Sequence, residues 1–528
     1  MIAARRLWAA PAWAAPGARR PRLDGALALT ALLALAVAVA LLRAHALAAP
    51  LWMDEGISVG IASHPLGAIP SVLREDGSPP LYYAILHLWI ELFGSTPTAV
   101  HLLSLTCFAL AVPAAVWAAW TPFGPAAGAL AGAFVALDPF TAYYADDARM
   151  YTLVLLLGVI ATGAFVRAFV LRRRRHVGIF AVLLGALLYT HNWAVFYVGA
   201  TGIAYAGLLA VATDRRALLR DGALAFGGAA LLFAPWLPTL AYQAAHTGAP
   251  WSSVPDGHEL SGAATQMLSG ALPEAIVLVV AGSGAVGLVL RGGRAQRRAT
   301  LAVLAVAALT LALGFTWSHV ASPAWAIRYL IMVAAPLAVV VGAALGRFAP
   351  LGVAALAVVV ALSWHGRPSD EQLMRKSNVA QIATALGPQL APGSLVVTTQ
   401  PEQVPTLRYY LGAQMRYVTP FGIVRDPGVM DWRDAPARLR AGRFTTVMDS
   451  ELRSLRPGMR VLFVGPRFAN GNTGWSRQIL ADTQVWRRAL RRRLRVVAAD
   501  VPRGASAQST IAGLVLAVPR RTRPAGAA

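Results

Sequence analysis

Between positions 24 and 365 the chain is a succession of apolar runs separated by short polar connections, and arginines crowd into every second connection. A helix needs roughly 20 apolar residues to cross a bilayer, and segments that do so satisfy their backbone internally. Candidate spans fall at about 24–46, 98–120, 124–141, 150–171, 177–191, 193–212, 222–240, 272–290, 299–317, 328–346 and 349–365, some of them marginally short. Only 13% of the 528 residues are charged, against a usual share of roughly a quarter, and 57% are hydrophobic. Lipid therefore has to solvate much of the surface. Cys107 is the single cysteine and lies in an apolar run, which rules out a disulfide framework and a Cys-based metal site. The net charge of +23 does not point to nucleic acid, because its arginines lie between apolar segments.

Those arginines set the orientation. Arg172 to Arg175, then Arg215, Arg216 and Arg220, then Arg291, Arg294, Arg297 and Arg298, then Arg347 share one side with the basic amino terminus, residues 1–23. Positive-inside places that side in the cytoplasm, and the first apolar run reads as a retained signal anchor. Residues 80–94 are apolar but short and contain His87 and Glu91; a crossing there would turn Arg172 to Arg175 outward. They are therefore expected to form an interfacial helix opened by the Pro79-Pro80 pair. The expectation is a mainly α polytopic bundle of about eleven spans, amino end in and carboxyl end out. Outer loops would cover 47–97 and 138–149.

Residues 366–518 change character. Helical stretches (371–387 and 474–494) alternate with β-type runs at 394–399, 461–464, 495–499 and 511–517, so a small extracytoplasmic α/β domain is expected. No glycine-rich phosphate loop joins a strand to a helix, and no internal repeat is visible. The basic stretch from Trp486 to Arg495 reads as a solvated helix face or a contact for anionic headgroups. Residues 519–528 are expected to be disordered.

Chemistry-bearing residues gather on the predicted outer face. Asp54 and Glu55 follow the first apolar run; such acids cap a helix, or serve as a general base or metal ligand at the bilayer surface. Adjacency alone does not say which of the two would act. The turn residues around Asp76 place that acid above the interfacial helix, beside Tyr82 and Tyr83. Asp146, Asp147, Arg149 and Tyr151 fall together at the outer end of a span. There an Asp would cap the next helix and free Arg149 for a phosphate, or an Asp–Arg pair would merely order the loop. His191 lies between two spans, with a structural reading and a functional one. Arg328, before Tyr329, is an outward arginine that either binds an anion or anchors a span by snorkelling. Carboxylates grouped with arginines suit a reaction that deprotonates a hydroxyl and expels a phosphate.

At these residues the chain resembles the GT-C-type membrane glycosyltransferases that use polyprenyl-phosphate sugars, most nearly the dolichyl-phosphate-mannose protein mannosyltransferases and the aminoarabinose transferases. The matching residues are Trp52-x-Asp54-Glu55, Gly77-Ser-Pro79-Pro80-Leu-Tyr82-Tyr83, Phe93-Gly94, Ala148-Arg149-Met-Tyr151 and Arg328-Tyr329-Leu, over about residues 24–350. The pattern departs from the family at Asp146-Asp147, where many relatives carry Gln-Glu. The resemblance implies an inverting transferase of the plasma membrane, its site facing outward. Asp54 would be the base and Glu55 its support, Arg149 and Arg328 would hold the lipid phosphate, Tyr82, Tyr83 and Tyr151 would line the donor groove, and Asp76 would shape the acceptor side. Asp146, Asp147, His191 and Tyr329 join them as candidate substrate contacts. The implied partners are a polyprenyl-phosphate sugar and an extracytoplasmic glycan, lipid or protein acceptor. A divalent metal at the acidic cluster stays open, since some members need one and others do not. A transporter or flippase is the competing class, disfavoured because its charges belong near the bilayer midplane and its halves usually repeat. A non-catalytic membrane scaffold is the third.

The topology has a direct test. Arg173→Cys is expected to react with a membrane-impermeant maleimide only after the membrane is opened, and labelling of intact cells would overturn the orientation.

Overall fold

The computed structural model describes residues 46–268, 270–364, 376–467, 473–500 and 510–518. Residues 1–45, which carry the basic amino terminus and most of the expected first span, lie outside the described residues, as do the start of the expected tail helix (371–375) and the tail at 519–528.

The first described helices are short. Helix α1 (Met53–Ala62) and α2 (Ile69–Asp76) belong to a pair of segments bent by 113°, and α3 (Leu81–Phe93) follows Pro80. At 13 residues α3 is shorter than the roughly 20 residues a straight crossing needs. Gly77 and Gly94 stop α2 and α3 with φ of +96° and +80°, a backbone region that glycine enters without strain. Helix α4 (Pro97–Phe123) then begins with proline in its first turn and Thr96 accepting from the Ala99 N–H at 3.3 Å.

The bundle continues with α5 (Pro125–Leu137), α6 (Pro139–Tyr143), α7 (Tyr151–Phe165), α8 (Arg175–Leu188), α9 (Ala194–Ala210), α10 (Arg215–Phe233), α11 (Leu237–His246), α12 (Gly257–Met267), α13 (Ala271–Arg291), α14 (Arg294–Val320), α15 (Ile331–Arg347) and α16 (Ala349–Trp364). Among the described residues six helical segments are long and apolar enough to cross a membrane, or up to eight if each bent pair is one span. This is a multi-pass membrane protein; the expected total near eleven also needs the shorter apolar helices α8, α9 and α16. The expected span at 124–141 is not continuous. It bends by 49° after Leu137, where Asp138 caps α6 by accepting from the Thr141 N–H.

Small residues let the helices approach. Gly342 and Gly346, one turn apart on α15, lie on Ala131 and Ala127 of α5, and a Cβ at either glycine would strike the α5 backbone. Lipid supplies no hydrophobic drive between spans, so close van der Waals contact of this kind holds them together.

The carboxy-terminal domain is a six-stranded sheet of order β3-β2-β1-β4-β6-β5. Its strands are β1 (Leu395–Thr398), β2 (Arg416–Thr419), β3 (Gly422–Ile423), β4 (Val461–Pro466), β5 (Arg495–Asp500) and β6 (Ile511–Ala517). β1 pairs in parallel with β2 and β4, and the remaining pairs are antiparallel. Helices α17 (Val379–Leu386) and α18 (Val404–Leu411) cover one face, where Val396 points; α20 (Phe444–Arg453) and α21 (Gly474–Arg493) cover the other, where Leu395 and Val397 point. α19 (Ala435–Ala441) turns toward the bundle core. The four expected strands and the 474–494 helix are present, with Ile511–Ala517 matching end to end. β2, β3, α18, α19 and α20 are additions that the alternation of residues did not disclose.

The domain docks on residues 47–97. Tyr410 Oη accepts from the Leu51 N–H at 2.8 Å, Tyr409 Oη donates to the Ser95 carbonyl at 2.8 Å, and the Trp432 N–H donates to the Glu75 carbonyl at 3.0 Å. Replacing Gly342 by Leu is expected to destabilise the bundle by about 1–3 kcal/mol through overpacking. Gly202→Leu, with open space around it, should leave the melting temperature in detergent unchanged.

Candidate active site

A buried carboxylate joins the short helices α1–α3 to the bundle. Glu55 is the third residue of α1, and its Oε2 accepts from the Trp52 N–H at 3.1 Å, the glutamate half of a capping box. Its Oε1 accepts from the Ala148 N–H at 3.0 Å, faces His101 Nε2 at 2.8 Å and lies 3.5 Å from Lys376 Nζ. The other nitrogen of His101 donates to the Leu47 carbonyl at 2.8 Å. Asp147 completes the group: Trp52 Nε1 donates to its Oδ1 at 2.8 Å, and Lys376 is 3.8 Å away. Lys376 also donates to the Asp146 carbonyl.

Burial works to raise the Glu55 carboxyl, but Lys376 and His101 outweigh it and hold the group well below the usual carboxylate range. Asp147 is pushed the other way, upward, by burial and by the Glu55 charge, against the pull of Lys376. The pair thus keeps one firmly ionised member.

Asp54 is placed differently. It is half-buried, and its carboxylate accepts no hydrogen bond among the described residues. Its backbone carbonyl receives Arg149 Nη1 at 3.2 Å, and the same nitrogen donates to Ser58 Oγ at 3.1 Å. Arg149 remains cationic: burial opposes the charge, while Tyr83, Asp54, Tyr151 and Asp76 favour it. Asp54 also interacts electrostatically with Arg328, Tyr151 and Tyr329. One carboxylate therefore lies in the field of two half-buried guanidinium groups.

Aromatic side chains close around them. Tyr82 and Tyr83 of α3 meet edge-on with centroids 5.6 Å apart. His191 lies 6.2 Å from Tyr151 and 4.7 Å from Tyr329, and Arg328 stacks 4.4 Å over Trp251. Tyr82 Oη, Tyr83 Oη, Tyr151 Oη, Arg149 Nε and Arg328 Nε are buried without a hydrogen-bond partner among the described residues. Each such group costs roughly 1–3 kcal/mol, which a ligand rich in acceptors would recover. Asp76 ends α2 behind Tyr83, buried, its carboxyl raised chiefly by desolvation. Asn192 and Gln243 hold the adjoining turn through the Gly77 and Ser78 carbonyls at 3.1 and 3.2 Å.

Neither expected arrangement of the second motif is present. Met150, not Asp146 or Asp147, precedes the first turn of α7, and it makes no side-chain cap. Asp147 is committed to Trp52 and Lys376, and Arg149 reaches α1 instead of a neighbouring Asp. The physical reason is the Ala148 N–H bond to Glu55, which pulls the loop toward α1 before the helix begins. The sequence reading passed over His101, Ser58, Trp251 and Lys376. A histidine near the outer end of an otherwise apolar span was the signal for His101. No residue pattern near Lys376 announces it.

The Glu55–Asp147 pair does not fit a divalent metal. Such an ion needs carboxylate lone pairs, and both Glu55 oxygens and Asp147 Oδ1 are taken up by protein donors. Among the described residues no group of three or more His, Cys, Asp or Glu side chains is arranged to hold one.

No family profile matches the sequence, and no curated protein matches it. Solved structures do. The aminoarabinose transferase ArnT from Cupriavidus metallidurans in the apo state is 15% identical, with a TM-score of 0.61 over 92% of this chain and 98% of that one. The same protein bound to undecaprenyl phosphate gives a TM-score of 0.60 at 14% identity over 92% and 97% of the two chains. The archaeal oligosaccharyltransferase AglB from Archaeoglobus fulgidus, in complex with an inhibitory peptide and a dolichol-phosphate, gives 0.50 at 11% identity over 94% and 75%. Both proteins are GT-C membrane glycosyltransferases, and the chain shares their fold.

Burial, with Arg149 and Arg328 nearby, lowers the His191 ring to about 3. Unfolded, the ring takes up a proton near 6.5. The unfolded state binds more protons between these values, so the stability is intact above about 6.5 and declines as pH falls toward 3. His191→Gln is therefore expected to lose melting temperature less steeply than the native protein between about pH 7 and 5; equal slopes would show that the ring is not held neutral.

Proposed function

We propose that the chain is an inverting glycosyltransferase that moves a sugar from a polyprenyl-phosphate carrier to an acceptor hydroxyl or similar nucleophile on the outer face of the plasma membrane. The observation that carries this reading is the Asp54 carboxylate, which accepts no hydrogen bond among the described residues, set in the field of Arg149 and Arg328, two half-buried cations each with a buried, unsatisfied Nε. The shared fold supports it: one neighbour holds undecaprenyl phosphate and another a dolichol-phosphate with a peptide.

In this mechanism Asp54 takes the proton of the acceptor hydroxyl as its oxygen attacks the anomeric carbon from the face opposite the phosphate. The new carbon–oxygen bond forms as the bond to the phosphate oxygen breaks, and polyprenyl phosphate leaves with the electron pair. Arg149 and Arg328 neutralise the charge that grows on the leaving group, in a site too buried for water to screen it. Tyr82, Tyr83 and Tyr151 offer hydroxyls to phosphate or sugar oxygens. Tyr329 and a neutral His191 form the wall behind them, and Asp76 shapes the acceptor side. Glu55, Asp146 and Asp147 act from below by fixing the two loops that carry Asp54 and Arg149. The sugar and acceptor are set by the groove around this core.

Asp54→Asn is expected to abolish transfer from a labelled polyprenyl-phosphate sugar while the protein still inserts, folds and binds the carrier. Arg149→Ala should weaken carrier binding by about 2–5 kcal/mol, the cost of removing one partner of a buried charge pair. Near-normal turnover by the Asp54→Asn protein would sink the proposal.

A further inference from the structure

The transfer site contains a cation that comes from outside the bundle. Lys376 is the only lysine in a chain whose other basic side chains, bar histidine, are arginines. It is 2% exposed and stands just before α17, where the carboxy-terminal domain begins. Its ammonium lies 3.5 Å from Glu55 Oε1 and 3.8 Å from Asp147 Oδ1, and it donates to the Asp146 carbonyl. It therefore touches both loops at once, one residue from Asp54 on the first and two residues from Arg149 on the second.

An uncompensated pair of carboxylates at this depth would repel, and one would have to take up a proton. Lys376 prevents this. His101 faces only Glu55, whereas Lys376 faces both acids. A divalent metal would bridge two acids in the same way, but the ammonium already occupies that position. A lysine head is a compact point charge with three donors, and it meets three oxygens here, where the planar guanidinium of arginine would need more room.

We propose that Lys376 is a positioning residue that serves as the built-in counter-ion of the transfer site, so that transfer depends on the docked carboxy-terminal domain and not on a divalent metal at these acids. This rests on the transferase reading above. Lys376 touches neither the base nor the arginines. It acts through Glu55 and Asp147, which fix the distance between the loop bearing Asp54 and the loop bearing Arg149.

The test uses the full-length protein in lipid nanodiscs, with two readouts. Transfer from a polyprenyl-phosphate sugar is measured with and without EDTA, and Mn2+ binding is followed by the electron paramagnetic resonance of the free ion. The native protein is expected to keep its transfer rate in EDTA and to bind no Mn2+. Lys376→Ala should lose about 10–100-fold in transfer, the usual scale for a residue supporting a site from behind. It should also gain a Mn2+ site, with Mn2+ or methylammonium restoring part of the rate. Lys376→Arg keeps the charge and should lose less; it decides the matter if the alanine protein fails to fold. Loss of native transfer in EDTA with recovery on Mn2+ would overturn the proposal. So would a folded Lys376→Ala protein that transfers normally, or one that is inactive, gains no Mn2+ site and responds to neither cation. If the native protein transfers no sugar at all, the transferase reading falls, while the Mn2+ contrast between native and Lys376→Ala still judges the counter-ion.

Discussion

The end of this molecule that holds the candidate site depends on one ionised carboxylate kept out of water. Glu55 binds the Trp52 N–H of its own helix, the Ala148 N–H of the loop before α7, His101 of α4 and Lys376 of the carboxy-terminal domain. Four segments distant in sequence thus share one acceptor. Charge-assisted hydrogen bonds are roughly twice as strong as neutral ones, and a buried charge that loses a partner is strongly destabilising. The segments therefore hold one another in place, and none can move without exposing an unpaired charge to an apolar surrounding.

This arrangement explains how a bundle held by weak forces presents a defined site. The spans meet through glycine and alanine, and their contacts carry little directional information. Direction comes from the polar group at one end. Trp52 Nε1 and Lys376 reach the same Asp147 oxygen, so the loop before α7 is pinned from the α1 side and from the domain side. Arg149 follows within two residues and crosses to the Asp54 carbonyl and Ser58. The relation between Asp54 and Arg149 is thus fixed by the contacts beneath them, and the Asp54 carboxylate accepts no hydrogen bond among the described residues.

Much of the fold was legible in the sequence because its signals are local. Apolar length marks the spans, Pro80 and Gly94 bound the short apolar helix α3, and short β-branched apolar runs mark β1 and β4. The break after Leu137 escaped because the apolar run reads through it and only Asp138-Pro139 interrupts it. β2 and β3 escaped for a related reason: each is four residues or fewer and needs its neighbour to exist as a strand. In the site, the motifs located Asp54, Asp76, Tyr82, Tyr83, Arg149 and Arg328, which the fold gathers at one end of the bundle. The parts that escaped are those contributed from afar. Lys376 stands over 300 residues from Glu55, 321 by sequence separation, and no spacing rule connects them. His101 stands out as a polar group in an apolar span, but that signal marks its position and not its partner Glu55.

The adjacency of Asp54 and Glu55 left open which acid acts, and helix geometry closes part of that question. Successive residues of an α-helix point about 100° apart, so two neighbouring acids at a helix start cannot share an environment. Glu55 has the extra methylene needed to curl back to the Trp52 N–H, and from there its second oxygen meets the ring of His101 and the ammonium of Lys376. Its proton affinity is held low by these partners, and a carboxylate so stabilised is a poor base. Asp54, shorter and one step around the helix, stays at the rim, half-buried and free of donors. The same helix turn thus yields a structural acid and a chemically available one, and the distinction arises from the order Asp-Glu: reversing it would place the longer side chain at the rim and the shorter one out of reach of the Trp52 N–H.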